Sequence, residues 1–315
     1  MGIVIGMDEA GYGPNLGPLV ISVVAWKSNS APRDTDFWTL LDPVVTQTWT
    51  RNEERLHVGD SKAVYTPARG LKQLERSVLS LLGLMNAAPR SFRELVEFLS
   101  PHTLAEFDLE PWFADSDVEL PLANTVDEIE TGTARWRSCC GDCGIEPLAL
   151  RSDIVGTVRF NEEVERHQSK GVVLSEATIR LLGEVWRPVR EEDCWIIGDK
   201  HGGRNRYDDL LEPLAGETMI LRRNEGAQRS EYRIDRTDIR FQTKAEAQFP
   251  VALASMISKY VREVSMELFN RYWVAHRPQL KPTKGYPSDA RRFLNEVADL
   301  QEALAIETNC FWRCR

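Results

Sequence analysis

Apolar and polar positions come in blocks along the first part of the chain. Residues 1–7 and 17–26 are both apolar runs, and a turn rich in Gly, Pro and Asn separates them. Two apolar runs joined by such a turn are typical of a β-hairpin. The first run leads directly into the adjacent carboxylates Asp8 and Glu9. Either a strand ends there in water, or the two acids face a ligand such as a metal ion.

Farther along, apolar positions recur with the period of a helix. Thr66 followed by Pro67 suits a helix cap and a first-turn proline. One helical face then carries Leu71, Leu74, Val78, Leu81 and Leu82. Similar patterns predict helices over 91–100, 175–186, 245–273 and 288–304, the last capped by Ser288 or Asp289, and strands over 148–160, 192–199, 217–224 and 230–243. Strands interleaved with helices predict an α/β fold.

The segment from about residue 88 to 146 differs from the rest of the chain. It is acidic, and its aromatic residues and prolines are scattered without a clear period. We interpret it as an insertion that decorates a core, and not as a separate enzyme domain.

Composition places the chain among globular proteins. It has 315 residues, of which 42% are hydrophobic and 28% charged, enough for one large domain or two. There is no apolar run of the roughly 18 residues that a membrane span needs, and the start lacks the features of a signal peptide, so we expect a cytoplasmic protein without a membrane anchor. The net charge of −9 argues mildly against a general polyanion binder. A local basic groove, or cations on clustered acids, could still bind phosphate.

The cysteines allow two interpretations. Cys140 and Cys143 have a C-x-x-C spacing beside Cys139, and Cys310 and Cys314 have a C-x₃-C spacing. Together the two pairs could form a structural zinc site. Nothing in the sequence brings the pairs together, so reduced thiols are the simpler interpretation.

Three stretches place acids where a ligand could meet them. Asp199 ends the apolar run "CWIIGD" much as Asp8 ends "IVIGMD", and Glu246 lies near the start of the long helix. Open α/β sheets bind ligands at the carboxyl ends of their strands. With Glu9, these acids could hold two magnesium or manganese ions for phosphodiester cleavage. Spacing alone favours the other interpretation, in which each acid stands by itself.

The long helix carries a polar stripe. Ser255, Lys259 and Arg262 are four and three residues apart and therefore share one face. Such a stripe could meet phosphates, although a solvated basic face is the commoner case. Ser61 and Lys62, in the loop "GDSK", are likewise suited to a phosphate.

In their order, these segments resemble the type 2 ribonucleases H, the ribonuclease HII and HIII group. The resemblance rests on five motifs between residue 3 and about residue 294: "GMDEAGYGPNLGPLVISVV", Asp60-Ser61-Lys62, the strand-borne Asp199, "KAEAQFPVALASMISKYVRE" and "KGYPSDARRFL". Glu rather than Asp at position 246 is closer to the HIII branch.

The resemblance implies a fold and an activity. The fold is ribonuclease H-like, a mixed five-stranded sheet flanked by helices, with Asp8, Glu9, Asp199 and Glu246 holding two Mg²⁺ or Mn²⁺ ions. A catalytic domain over 1–270 would contain the insertion, and a C-terminal helical segment over 271–315 would complete the substrate groove. We expect a monomer. The implied reaction is hydrolysis of the RNA strand of RNA/DNA hybrids, leaving 5′-phosphate and 3′-hydroxyl ends.

The resemblance also implies a set of substrate-binding residues. Gly11, Tyr12 and Gly13 would contact a ribose 2′-hydroxyl, and Tyr286 would stack near the sugar at an RNA–DNA junction. Phosphates would be met by the polar residues Ser61, Lys62, Ser255, Lys259 and Arg262.

Some positions depart from the family pattern. Tyr12 stands where the family has Arg or Lys, and Arg291 where it often has His. The loop "GDKHGGRNRYDDLL" brings His201, Arg204 and Arg206, which could restore the positive charge. Two alternatives therefore stay open: a hybrid-binding protein with little turnover, and a nuclease of the same fold that acts on DNA junctions.

Overall fold

One mixed sheet organises the computed structural model, which describes residues 1–51, 53–114, 116–187 and 192–314. The strands are β1 (Gly2–Ala10), β2 (Leu19–Ser28), β3 (Val45–Thr46), β4 (Leu56–His57), β5 (Ile145–Val155), β6 (Asp193–Asp199), β7 (Ile220–Glu225), β8 (Arg229–Ile234) and β9 (Thr237–Gln242). Within the described residues, seven of them form a sheet in the order β5-β2-β1-β6-β9-β8-β7, and β3 and β4 form a separate pair. In the large sheet β1–β6 and β6–β9 are parallel, and the other neighbours are antiparallel.

The α/β fold class is confirmed, but the sheet has seven strands rather than five. The antiparallel strands β7 and β8 continue the sheet beyond β9. The predicted hairpin is also confirmed, since β1 and β2 pair antiparallel from Gly2↔Ser28 to Ala10↔Val20. Because β1 reaches Ala10, Asp8 and Glu9 belong to the strand itself.

Helices cover both faces of the sheet. They are α1 (Phe37–Leu41), α2 (Ser61–Val64), α3 (Lys72–Leu84), α4 (Phe92–Leu99), α5 (Pro111–Ala114), α6 (Val126–Cys143), α7 (Thr157–His167), α8 (Lys170–Val185), α9 (Asp208–Ala215), α10 (Phe249–His276), α11 (Pro287–Ala303) and α12 (Thr308–Phe311), with 3₁₀ turns at Pro32–Asp34, Pro101–Leu109 and Ala245–Ala247. No helix in the described ranges combines the length and apolar character that crossing a membrane requires.

Several predicted boundaries are wrong, and three of the errors have a local cause. The strand predicted over 148–160 ends at Val155, because Gly156 caps the start of α7. Thr66 accepts backbone hydrogen bonds in a turn, and α3 begins only at Lys72. The last long helix is capped by the backbone of Tyr286, while the Asp289 carboxylate accepts hydrogen bonds from Thr283 and from the backbone N–H of Lys284.

Helix α10 packs unusually close to β1. A Cβ atom on Gly6 would overlap the backbone of Pro250, so only glycine allows this approach. The contact places the Ser258 hydroxyl 3.1 Å from the carbonyl oxygen of Asp8 and 2.8 Å from the Ser22 hydroxyl. The hydroxyl of Ser152, on β5, lies 2.8 Å from that of Ser22. Buried hydroxyls thus fix α10 against the strand that carries the first two acids.

Two apolar clusters form the core, one on each face of the sheet. One includes α10, α3, the acidic segment and the C-terminal helices, as shown by the buried side chains of Trp112, Trp136 and Phe293. The other joins α7, α8 and α9 to the opposite face. The segment at 88–146 therefore contributes to the main core. The expected boundary between residues 270 and 271 falls inside α10.

A buried carboxylate ties β5 to the helices around it. Asp153, 1% exposed, accepts hydrogen bonds from Arg159, from Arg180 at 2.8 Å and from the His102 ring at 3.3 Å. Burial works to raise the pKa of Asp153, but the three donors outweigh it and hold the pKa well below its ordinary value. The charged carboxylate is thus part of the folded state.

We expect Asp153→Asn to lower the free energy of unfolding by about 1.5–3 kcal/mol, because the neutral amide cannot replace the charged hydrogen bonds that the buried carboxylate accepts from Arg159, Arg180 and His102. A lowered folded-state pKa stabilises the protein above the unfolded-state value of about 3.9, and this stabilisation is lost as the pH falls below it. The difference between wild type and variant should therefore shrink in acid. Urea titrations between pH 7 and pH 3 test this, with the exposed Asp108→Asn as the control. A difference that stays constant with pH would contradict it.

Candidate active site at the ends of β1 and β6

The structure brings the four acids to one end of the sheet. Met7 pairs with Gly198 in the parallel β1–β6 ladder, so Asp8 and Asp199 follow at the next position of each strand. The Asp199 carboxylate accepts a hydrogen bond from the backbone N–H of Ala245 at 3.3 Å. This bond fastens the 3₁₀ turn Ala245–Ala247, and with it Glu246, to the end of β6.

The acids repel one another in this setting. Burial raises the pKa of Asp8 well above its ordinary value, and Glu9 adds to the shift, while a hydrogen bond from Ser255 opposes it. Burial, and then the charge of Asp199, raises the pKa of Glu9 to about 7. The pKa of Asp199 is raised too, by burial and by Glu246. Neighbouring anions disfavour ionisation, so this cluster has a deficit of positive charge.

The donor set suits a hard divalent cation, because all four side chains offer carboxylate oxygens. No three of these four acids, however, bring one ligand atom each within 4.8 Å of the others. In the described part of the chain, only Glu163, His167 and Glu176 bring one ligand atom each within 4.8 Å of the others. There the His167 ring nitrogen lies 3.2 Å from Glu163 and 3.1 Å from Glu176, as in ordinary surface ion pairs.

Helix α2 presents two of the predicted phosphate-binding residues differently. Ser61 is buried, and its hydroxyl lies 3.0 Å from that of Ser255, within hydrogen-bonding distance. Lys62 is exposed, and its charge works to lower the pKa of both Glu9 and Asp199. The Asp60 carboxylate caps this short helix by accepting from the backbone N–H of Lys62 at 2.9 Å. Lys62 is thus the cation of this loop that faces the acids.

Lys259 lies in a charged network that the sequence did not reveal. Its amine is 2.7 Å from the Glu263 carboxylate, which also binds the amine of Lys284 at 2.6 Å and accepts from the Tyr65 hydroxyl at 2.7 Å. Burial works to raise the pKa of Glu263, but the two lysines lower it to about 2. The i,i+4 spacing of Lys259 and Glu263 was the only local signal of this network.

Arg262 has a different environment from the one that the resemblance implies. Its side chain is 3% exposed and donates to the carbonyl oxygens of Pro18 at 2.6 Å and Leu16 at 3.0 Å, and to that of Lys284 at 3.2 Å. A guanidinium so enclosed is turned away from solvent and from any phosphate there. Its structural role is to hold the end of the glycine turn, residues 11–18.

A second buried arginine holds the same turn from the C-terminus. Arg313, 1% exposed, donates through Nη2 to the carbonyl oxygens of Gly11 and Pro14, and its backbone N–H donates to Asn15 at 2.8 Å. Its guanidinium also lies 4.5 Å from the ring centre of Phe160. These hydrogen bonds to a buried side chain fix the backbone of the turn on its protein-facing side. No sequence pattern signalled this contact, which spans about 300 residues.

The turn itself contains a position that requires glycine. Gly11 has φ = +91°, and a Cβ there would lie 2.5 Å from the carbonyl oxygen of Pro18. Gly13 is exposed, with open space beside it. Tyr12 is half-buried, and the Lys170 amine lies 4.7 Å from its ring centre. Lys170, from α8, thus places a positive charge beside Tyr12, where the family pattern has Arg or Lys in the turn.

The predicted stacking residue lies beside this turn. The backbone N–H groups of Asn15 and Leu16 donate to the carbonyl oxygen of Gly285 at 2.8 and 3.3 Å. The next residue, Tyr286, is 53% exposed. The Lys-Gly-Tyr-Pro segment and the glycine turn therefore share one surface, next to the acids.

Burial changes the pKa values of two further groups of predicted site residues, His201 and the cysteines of the C-x-x-C segment. Burial, followed by the nearby Arg204, lowers the pKa of His201 to about 3, so this histidine adds no positive charge at neutral pH. Burial raises the pKa of Cys139 to about 11 and that of Cys140 to about 12. The Cys139 and Cys143 sulfurs both lie near the carbonyl oxygen of Leu40, at 3.6 and 3.1 Å. Neutral thiols satisfy this arrangement.

Comparison with known proteins gives likenesses in structure. No family model matches the sequence, and neither does any curated protein. A solved structure of ribonuclease HII from Archaeoglobus fulgidus, in complex with PCNA, is similar over 99% of this chain and 94% of its own, with a TM-score of 0.45 and 17% identity. Ribonuclease H2 from Pyrococcus horikoshii OT3 is similar over 98% of this chain and 92% of its own, with a TM-score of 0.42 and 15% identity. Bst ribonuclease HIII, solved with Mn²⁺, is similar over 99% of this chain and 66% of its own, with a TM-score of 0.42 and 16% identity.

Proposed function

We propose that the protein is a metal-dependent endonuclease that hydrolyses the RNA strand of RNA/DNA hybrids, leaving 5′-phosphate and 3′-hydroxyl ends. The observation that supports this best is the meeting of Asp8 and Asp199 at adjacent strand ends, with Glu246 tied to Asp199 through Ala245. This acid cluster adjoins a glycine turn whose carbonyl oxygens are held inward.

Asp8, Glu9, Asp199 and Glu246 would hold two divalent cations. Mg²⁺ or Mn²⁺, when bound, would activate the attacking water and stabilise the leaving oxygen. Cation binding would also relieve the repulsion that raises the pKa values of these acids. Because no three of the four acids bring ligand atoms within 4.8 Å of one another, their side chains would have to turn toward a shared cation.

The surrounding residues would orient the substrate. With its carbonyls bound to Arg262 and Arg313, the glycine turn can offer Gly11, Tyr12 and Gly13 to a ribose 2′-hydroxyl. The exposed ring of Tyr286 can stack against a nucleoside on the same surface. Lys62 can bind the phosphate next to the acids.

A set of duplexes of one base sequence tests the proposal: all-DNA, all-RNA, RNA/DNA hybrid and DNA with a single ribonucleotide, each with Mg²⁺ and with Mn²⁺. We expect cleavage of the hybrid RNA strand, with 5′-phosphate ends, and no cleavage of all-DNA duplex. Tyr12 in place of a cationic residue should make the single ribonucleotide a poorer substrate than the hybrid. Cleavage of the all-DNA duplex, with the hybrid left intact, would contradict it.

Tyr12, in place of the Arg or Lys of the ribonuclease HII and HIII pattern, favours one second candidate, a hybrid-binding protein with little turnover. It predicts submicromolar binding of the hybrid with no product under any of these ions. The same set of duplexes, used in a binding assay, therefore distinguishes the two functions.

A further inference from the structure

An open groove of about 660 Å³ runs from the glycine turn along the N-terminal end of α8. Tyr12 forms one wall, Lys170 and Gly171 form the second, and the loop from His201 to Arg206 forms the third. Because Tyr12 follows Glu9 by three residues and His201 follows Asp199 by two, the groove lies beside the acid site. A strand bound at the acids can therefore continue into this groove.

The groove is cationic in a protein with a net charge of −9. Lys170, Arg204 and Arg206 line it, and no acidic side chain is among the described lining residues. Arg206 is 82% exposed, and the carboxylate nearest to it, that of Glu225, is 3.7 Å away. The first turn of α8 adds the positive end of a sixteen-residue helix, which no side chain caps.

The arginine loop is held in place from inside the protein. Lys200 is 7% exposed, and its amine donates to the carbonyl oxygen of Arg204 at 3.0 Å, to the Asn205 side chain at 3.0 Å and to the carbonyl oxygen of Gly226 at 2.7 Å. The Ser230 hydroxyl donates to the Asn205 carbonyl oxygen at 2.6 Å. A loop ordered in this way loses little conformational entropy when it binds a ligand.

We propose that this groove binds the sugar–phosphate backbone of the nucleic-acid strand that continues from the cleavage site. Arg204 and Arg206 contact successive phosphates, and the Tyr12 ring, with Lys170 beside it, packs against a sugar or base. The cations of the groove replace the positive charge that the glycine turn lacks because it has Tyr12 in place of Arg or Lys. This assignment rests on the proposed function, since it assumes a nucleic-acid substrate at the acids.

The test is the double variant Arg204→Gln/Arg206→Gln in the full chain, with Arg90→Gln/Arg135→Gln as the matched control. The control arginines are exposed and lie 3.6 Å from Glu130 and Glu54, which resembles the Arg206–Glu225 pair. The affinity for a fluorescent hybrid is measured by anisotropy without divalent ions. The KCl concentration is varied from about 50 to about 300 mM.

Losing two phosphate contacts should reduce the slope of log K against log[salt] by about 1.8, and should weaken binding roughly 30-fold near 0.15 M salt. The control should follow the wild type. Hybrids shortened stepwise from one side of the cleavage site should stop distinguishing the double variant from wild type once they no longer reach the groove.

Equal slopes for the double variant and the control would overturn the proposal. So would an equal weakening of the binding of polyglutamate of the same charge, because the groove would then recognise any polyanion. Cleavage is read separately: a wild type that binds the hybrid with the expected slope but cleaves nothing would refute the nuclease activity and leave the groove assignment supported.

Discussion

Replacing Asp199 by Asn is expected to lower the rate of hybrid cleavage by at least about a thousandfold, or about 4 kcal/mol of transition-state stabilisation. Asn keeps the size of the side chain and can still accept the hydrogen bond from Ala245. It removes the negative charge between the acids of β1 and Glu246. Single-turnover cleavage of a labelled hybrid, in Mg²⁺ and in Mn²⁺, measures the loss.

Asp193→Asn is the matched control, because Asp193 lies at the opposite end of the same strand, half-exposed and paired with Arg236. It should cleave like the wild type. A second readout is independent of activity: Mn²⁺ should raise the melting temperature of the wild type and of Asp193→Asn more than that of Asp199→Asn. Wild-type cleavage by Asp199→Asn, or an equal Mn²⁺ shift, would refute the proposed cation site.

Without metal, the Asp199→Asn variant should be at least as stable as the wild type at pH 8. The folded-state pKa of Asp199 is raised, so ionising this acid destabilises the fold, and stability is lost as the pH rises above about 3.9. Asn does not ionise and avoids that loss. Thermal unfolding in a chelating buffer at pH 5 and pH 8 therefore separates a lost ligand from a damaged fold.

Replacing Arg313 by Gln is expected to raise the KM for the hybrid about 10- to 100-fold, with a smaller change in kcat. The substitution frees the carbonyl oxygens of Gly11 and Pro14, so the glycine turn must be ordered by the substrate itself. Mutating a residue that orients a ligand-contacting group through hydrogen bonds typically lowers affinity or activity by about this factor.

Stability should change less than affinity in this variant. Lost charge-assisted hydrogen bonds cost about 1.5–3 kcal/mol, but the buried Nε and Nη1 of Arg313 have no hydrogen-bond partner among the described residues, and removing them offsets part of that cost. Steady-state kinetics and urea unfolding measure the two effects. The exposed neighbour Cys314→Ser is the control. A loss of stability with an unchanged KM would contradict a positioning role.

Local patterns in the sequence were sufficient for the elements nearest the acids. Two apolar runs with a glycine-rich turn between them predict the β1–β2 hairpin, and the run "CWIIGD" predicts β6. Both faces of these strands are buried, so each strand is a continuous apolar run that a short window can recognise. Boundaries were less certain, since Gly156 starts α7 inside an otherwise apolar stretch.

Contacts between distant segments needed the tertiary structure. The sequence offered Lys259 and Arg262 as equal members of one polar stripe, yet Lys259 pairs with Glu263 and Arg262 is buried against the carbonyls of Leu16 and Pro18. Helical spacing identifies a shared face but does not show what covers it. The same holds for His201, which burial makes neutral.

The sequence by itself determined the α/β class, the hairpin and which four acids are candidates for a metal site. Only the tertiary structure decided that Asp8 and Asp199 occupy neighbouring strand ends, that Arg313 supports the glycine turn, and that Arg204 and Arg206 face a groove beside Tyr12. The physical reason is range: apolar runs and turn chemistry act over a few residues, whereas the partners of a buried charge come from chain segments about 300 residues apart.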